Sequence, residues 1–231
     1  MLQNIKDLYG KKLAASDGDI GHVKDFYFDD KSWAVRYVVA DTGSWLPGRQ
    51  VLLSPHAFGR FDRTKMMLSV NLTRKQIENS PVIEMHRPVS RQYEESYYAY
   101  YGWPTYWDGS GMWGAGGFPG AMPPSTPENR PHHGHNQRDD VHLRSMAAVK
   151  GYDVQAGDGT IGSVASFMVD DKTWAVGDLV VETGHWYSGK EILIAAAKIQ
   201  RISHDEAKVF VLLSRADIQR TPENEVARAG T

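Results

Sequence analysis

Three sets of side chains in this sequence have the types and spacing to do chemistry. Asp29-Asp30 and Asp170-Asp171 are adjacent carboxylates, the raw material for shared-proton catalysis or for holding a cation. Each pair is followed by Lys and Ser or Thr, then by Trp33 or Trp174. That order spells a turn between two strands, where short Asp side chains accept from nearby backbone amides. Adjacent residues at a strand end point apart, a poor geometry for two carboxylates sharing one proton. The expectation is therefore a structural turn, with a weak ion site as the alternative, and the two tryptophans are expected in the core. His132, His133 and His135 could ligate zinc or nickel, but a metal site needs three or four ligands held in geometry. Proline and glycine surround these imidazoles, so they are read as solvated and no metal is assigned. The third set is Trp45 with Arg49 and Trp186 with Lys190, an aromatic and a cation bracketing a glycine-flanked turn. Such a pair could grip an acidic partner surface. Alternatively the tryptophan plugs the mouth of the fold and the cation is solvated.

Nothing else points to catalysis. No GxSxG elbow or phosphate-binding loop is present, and no dinucleotide fingerprint follows a strand. The chain has no cysteine, which excludes disulfides, thiol catalysis and cysteine-ligated metals. The expectation is a protein that is not an enzyme and uses no cofactor.

The elements that position these residues come from an internal repeat. The stretch from Asp17 to Leu53 recurs from Asp158 to Ile194 at a constant offset of 141, without gaps and with about half the positions identical. The correspondence extends from Leu2/Leu143 to Pro81/Pro222, defining repeats at 1–82 and 142–223, a connecting segment at 83–141 and a tail at 224–231. The histidines do not recur: His22 corresponds to Ser163, and Ser44 to His185. A reaction carried by both copies would keep its residues in both.

Each repeat reads as short strands between turn signals. Gly21 and Gly162 interrupt the strands Ile20–Phe28 and Ile161–Val169, where a bulge or tight bend is expected. Trp33–Asp41 is apolar on both faces, as a central strand buried on two sides would be. Leu68, Val70 and Leu72 alternate with polar positions and mark one core face. Thr73 and Gln76 form a capping box, and Ser214 and Asp217 a looser version, so a short helix closes each repeat. The predicted fold is all-β: two tandem small barrels, each with a short C-terminal helix. Phe210 and Leu212 replace Ser69 and Asn71 on the face expected to point outward, which suggests that something packs over them.

The connecting segment is a different material. It crowds nine tyrosines and tryptophans between Tyr93 and Trp113, with glycine and proline dominant from Gly109 to Pro127, and shows no sustained period. It is read as a flexible spacer that folds back over apolar surface, or as a self-association or partner-binding segment. A net charge of −2 and the scarcity of cations in the segment argue against direct nucleic-acid binding. The N-terminal residues show no secretory signal, and no apolar run approaches the roughly 20 residues of a membrane helix. A cytoplasmic protein is expected, with peripheral contact at the inner membrane face left open.

From Ile20 to Pro55 the pattern IGxVxDFxFDDxxWAVRYVVxDTGxWLxGRxVLLSP resembles the PRC-barrel family. That family is named for the cytoplasmic domain of the photosynthetic reaction centre H subunit and occurs also in the ribosome-maturation factor RimM. The resemblance covers both repeats, about 70% of the chain, and is stronger in the first. In the second, Gly177-Asp178 replaces Arg36-Tyr37 and Tyr187-Ser188 replaces Leu46-Pro47. It implies a small β-barrel that docks or assembles other proteins and carries no universal catalytic residue. The expected function is a protein-binding adaptor or scaffold, linked by resemblance to a membrane or photosynthetic complex. Ribosome or RNA–protein assembly is the second reading, and small-ligand or metal sensing the third. The candidate partner contacts are Trp45, Arg49, Trp186, Lys190, Phe210 and Leu212. The partner is unassigned, and packing of the repeats on each other or on a second chain is expected.

Overall fold

The structure is a computed structural model that describes residues 1–47, 49–62, 64, 67–81, 89, 91–109, 111–114, 119, 142–184 and 189–220. The alternation of apolar and polar positions becomes strands in both repeats. β1 is Leu2–Asn4, β2 Lys12–Ala15, β3 Gly18–Asp29, β4 Ala34–Asp41, β5 Gln50–Leu53, β6 Phe58–Asp62 and β7 Met67–Val70. The second repeat follows with β8 Leu143–Ser145, β9 Asp153–Ala156, β10 Gly159–Asp170, β11 Val176–Thr183, β12 Glu191–Ala195, β13 Ile199–Ser203 and β14 Lys208–Val211. Short helices α1 (Arg74–Glu78) and α3 (Arg215–Arg220) close the repeats. At α1 the capping box is complete, with Thr73 and Gln76 each bonding the other's backbone amide.

Among the described residues the strands form two sheets of seven, with the same order and directions. One runs β5-β4-β3-β2-β7-β6 and the other β12-β11-β10-β9-β14-β13, antiparallel except for the parallel pairs β2·β7 and β9·β14. The expected closure into barrels is not achieved by strand pairing, because β5 and β6 at the two ends of the first path do not pair, nor do β12 and β13. A 3₁₀ turn separates each couple, at Pro55–Ala57 and at Ala196–Lys198. Ser54 caps the first turn, and Pro55 brings no N–H to extend a ladder.

The compact units are not the sequence repeats. The first unit is Tyr9–Leu143, and the second joins Met1–Leu8 to Arg144–Thr231. The copies have exchanged their opening strands: β1 lies antiparallel to β10, with Leu2 opposite Asp170, while β8 pairs with β3. Residue differences between the copies account for the choice. Gly177 leaves room for Leu2, whose Cδ2 would stand 3.0 Å from a Cβ there, and the same position in the first repeat is Arg36. Ser166 Oγ donates to Asn4 Oδ1 at 2.5 Å, and its counterpart Asp25 would set a second acceptor against that oxygen. On the other side, Asp30 N donates to His142 O and the His142 ring meets Asp30 Oδ1, both at 2.9 Å.

The acid turns are structural. Asp29 Oδ1 accepts from the amides of Lys31 and Ser32, and Asp170 Oδ1 from those of Lys172 and Thr173. Trp33 and Trp174 leave these turns in the left-handed region, at φ 56° and 57°. Trp174 is buried as expected, whereas Trp33 is only half-buried, stacked on Phe28.

The segment after the first repeat holds a helix the sequence reading missed, α2 (Arg91–Tyr101). Glu94, Tyr97, Tyr98 and Tyr101 recur at i, i+3, i+4 and i+7, one helical face, and the first three are fully buried. A stripe that begins with a carboxylate and continues in tyrosines does not register as apolar, which hid the period. Among the described residues no helix is long and apolar enough to cross a membrane.

Candidate functional site

The densest polar chemistry of the first unit lies where α2 and the residues after it cover the outer side of β4 and β5. β4 carries a bulge: Tyr27 faces Tyr37 and Phe28 faces Val35, so Arg36 has no residue opposite. Such a bulge re-aims side chains. Arg36 and Tyr37 are both fully buried, and each meets the aromatic segment. Tyr37 Oη donates to Glu94 Oε1 at 2.8 Å, Tyr106 Oη donates to the same oxygen at 2.6 Å, and Arg91 Nη1 stands 2.9 Å from Oε2. Glu94 is 0% exposed. Its charge is tolerable in the interior because Oε1 accepts from two hydroxyls and Oε2 is ion-paired with Arg91.

Arg36, 1% exposed, is held differently. Its Nη2 donates to Ser32 Oγ at 2.8 Å and stands 3.4 Å from Asp29 Oδ2. Its Nε and Nη1 have no hydrogen-bond partner among the described residues. The ring of Tyr106 lies 3.8 Å and that of Trp113 4.8 Å from the guanidinium carbon, so aromatic faces replace oxygen acceptors. Next to this pair, His56 stacks on Trp103 and meets Trp113 edge-on. Burial first, and the Arg36 charge second, push its pKa down to about 4, so the ring is neutral at physiological pH. Burial raises the pKa of Tyr37, Tyr97 and Tyr98 above the usual phenol value, and all three stay protonated donors.

Tyr97 performs a further task at the sheet edge. Its hydroxyl accepts from Ser54 N and donates to Leu52 O, both at 3.0 Å. These are the backbone groups of β5 that point away from β4, so one side chain satisfies an otherwise open edge. The arrangement is a lock: Glu94 is ion-paired, His56 is neutral, and Tyr37, Tyr97 and Tyr98 stay protonated. Among the described residues, no three His, Asp or Glu side chains stand where they could hold a metal ion.

The structure separates the residues singled out from sequence. Arg49 is anchored: Nη1 donates to Glu78 O at 2.5 Å and Nη2 to Ser80 O at 2.6 Å, so the guanidinium caps the end of α1. Arg49→Ala should therefore lower stability by about 1–2 kcal/mol, read as a shift in the urea midpoint. A variant of unchanged stability would return Arg49 to the surface-grip reading. Trp45 is half-buried beneath Arg74, whose guanidinium carbon lies 4.8 Å from the ring. Lys190 has an exposed side chain and a carbonyl held by the Thr183 amide and hydroxyl. Trp186, like His132, His133, His135 and the tail at 224–231, lies outside the described residues. Phe210 is half-buried, with Arg201 stacked 3.7 Å above its ring, while Leu212 is 64% exposed. Of the five described, Trp45 and Arg49 belong to the first unit, and Lys190, Phe210 and Leu212 to the second. The groups that do assemble (Arg36, Tyr37, Glu94, Tyr97, Tyr106) were not selected from sequence, and only Glu94 and Tyr97 lie in the helical spacing that could have flagged them.

No curated protein matches the chain. The family model of the PRC-barrel domain matches residues 3–78, from the exchanged strand β1 to the end of α1. The second repeat shares the strand order and pairing directions of that segment. The match covers about a third of the chain and ends with the capped helix α1, so residues 3–78 are similar to a PRC-barrel domain.

Proposed function

We propose that this protein is a non-enzymatic adaptor that binds other proteins through its two PRC-barrel-like sheets, in the cytoplasm. The observation that supports it most directly is how the first unit uses its polar residues. The buried carboxylate and the tyrosines around it are consumed in fixing an aromatic cover to the sheet, which shapes a surface. A PRC-barrel domain is in general a protein-interaction module, and the match at 3–78 supports the same reading. On this proposal each sheet is a barrel-like platform whose ends are bridged by a 3₁₀ turn instead of a ladder.

Affinity capture of the full chain from its native host, at native abundance, is the test. A defined protein should co-purify in fixed ratio through gel filtration. Membrane or photosynthetic subunits would give it a reaction-centre-type role, and ribosomal proteins the assembly role. A chain that remains unaccompanied, or a pure preparation that turns over a small molecule, removes the reading.

A further inference from the structure

The two units treat the same sheet edge in opposite ways. In the first unit the outward-facing residues of β5 are closed off by α2, with Leu52 1% and Ser54 0% exposed. Their counterparts on β12 in the second unit are Leu193 and Ala195, and there Leu193 is half-buried and Ala195 exposed. The register shows which backbone groups face outward. Thr183 N donates to Lys190 O at 2.9 Å, so Thr183·Lys190 is a hydrogen-bonded pair of the β11–β12 ladder. Bonded and unbonded pairs alternate, which leaves Glu191, Leu193 and Ala195 with N–H and C=O directed away from β11. No hydrogen bond to Leu193 O or Ala195 N, the equivalents of the two groups that Tyr97 satisfies, is found among the described residues.

Chemistry beside the edge has been inverted as well. Tyr37, which donates to Glu94 in the first unit, corresponds to Asp178, which lies opposite Ala195 across the ladder. Asp178 is half-buried and has no hydrogen-bond or ion-pair partner among the described residues, and burial raises its pKa. Further along the same face Glu182 and Glu191 stand directly opposite each other, both exposed, with Lys6 3.8 Å from Glu191. Like charges paired across strands are unfavourable unless a cation joins them. A surface that has exchanged a donor for an acceptor calls for a cover of opposite charge.

We infer that the outer edge of β12 docks a helix of a partner protein that carries a tyrosine and, three residues earlier, a lysine or arginine. The tyrosine hydroxyl bridges Leu193 O and Ala195 N as Tyr97 bridges Leu52 O and Ser54 N, and the cation takes the place of Glu94 and meets Asp178. This inference rests on the adaptor reading and names the partner's chemistry.

Two synthetic peptides test it: residues 89–107 of this chain unaltered, and the same peptide with E94K, each titrated into the full-length protein by fluorescence anisotropy. The E94K peptide should bind at least about tenfold more tightly. Asp178→Tyr, which restores the residue found at this position in the first repeat, should reverse the preference, and Leu193→Asp should abolish binding of both. Circular dichroism checks that each variant is folded, and the reversal by Asp178→Tyr keeps the test valid should Leu193→Asp misfold. Equal affinities, or no binding at millimolar peptide, overturn the inference. So does binding that appears only after residues 221–231 are removed, which would make the tail the occupant. Self-association of the protein that Leu193→Asp abolishes would make the occupant a second copy, and overturns it too. If the host complex persists undiminished in Leu193→Asp while the peptides show no preference, the adaptor reading stands and this edge is not its docking site.

Discussion

Glu94→Ala should strip the aromatic cover from the first unit and cost about 3–5 kcal/mol of its stability, the usual cost of removing one partner from a buried charged cluster. The loss exceeds that of one contact because the hydroxyls of Tyr37 and Tyr106 and the guanidinium of Arg91 all lose the carboxylate together. Trp103, Trp107 and Trp113 lie in or beside this cover, so the variant's tryptophan emission should shift to the red before any denaturant is added. Urea titration then reads the cost as an earlier transition of the first unit. Arg36→Met provides the contrast. Arg36 already leaves Nε and Nη1 without hydrogen bonds, and Asp29 keeps the amides of Lys31 and Ser32 after the guanidinium is gone. Its cost should be about 1 kcal/mol, close to an apolar replacement. Equal costs for the two variants, or an unshifted emission for Glu94→Ala, would show that the cover does not depend on the carboxylate.

Gly21→Ala and Gly162→Ala should each disable the unit that contains it, at about 4 kcal/mol or more, within the exceptional tail of single substitutions. A Cβ on Gly21 would stand 1.9 Å from Asp41 O, and one on Gly162 2.0 Å from Glu182 O. Both obstacles are main-chain atoms of the neighbouring strand, so no side-chain rotation relieves the clash. Gly21 also sits at φ +121°, where an L residue is strained. Gly43 separates the two causes: its φ is +55° but nothing lies within 4 Å of its Cβ position, so Gly43→Ala should cost only about 1–2 kcal/mol. Unfolding followed by far-UV circular dichroism should show one early phase in each of the first two variants. A Gly21→Ala protein within about 1 kcal/mol of the parent would refute the close approach.

The strands, their order in the chain, the capped helices and the acid turns were legible in the sequence because each follows from local rules. Alternation sets the face of Leu68, Val70 and Leu72, Thr73 and Gln76 fix a helix start, and Asp29 bonds amides two and three residues away. Burial of β4 on both sides was legible for the same reason. Its cause was not, because the second layer in the first unit is a helix that begins with Glu94 and carries tyrosines in place of aliphatic residues. Arg49 shows the same limit. A cation near a tryptophan looks like a surface grip, but its fork reaches the carbonyls of Glu78 and Ser80, about thirty residues along the chain.

The sequence by itself determined that one segment was copied and that both copies would make sheets of the same strand order, since the glycines, turn acids and apolar positions recur at a fixed offset. Tertiary structure decided which strand completes which sheet, whether the sheets close, and which buried charge is matched by which donor. Those outcomes depend on pairings between residues far apart in the chain: Leu2 against Gly177, Asn4 with Ser166, Glu94 with Tyr37. Two copies with nearly the same local code leave such pairings almost degenerate, and small differences in shape and hydrogen-bond polarity at a few positions choose among them.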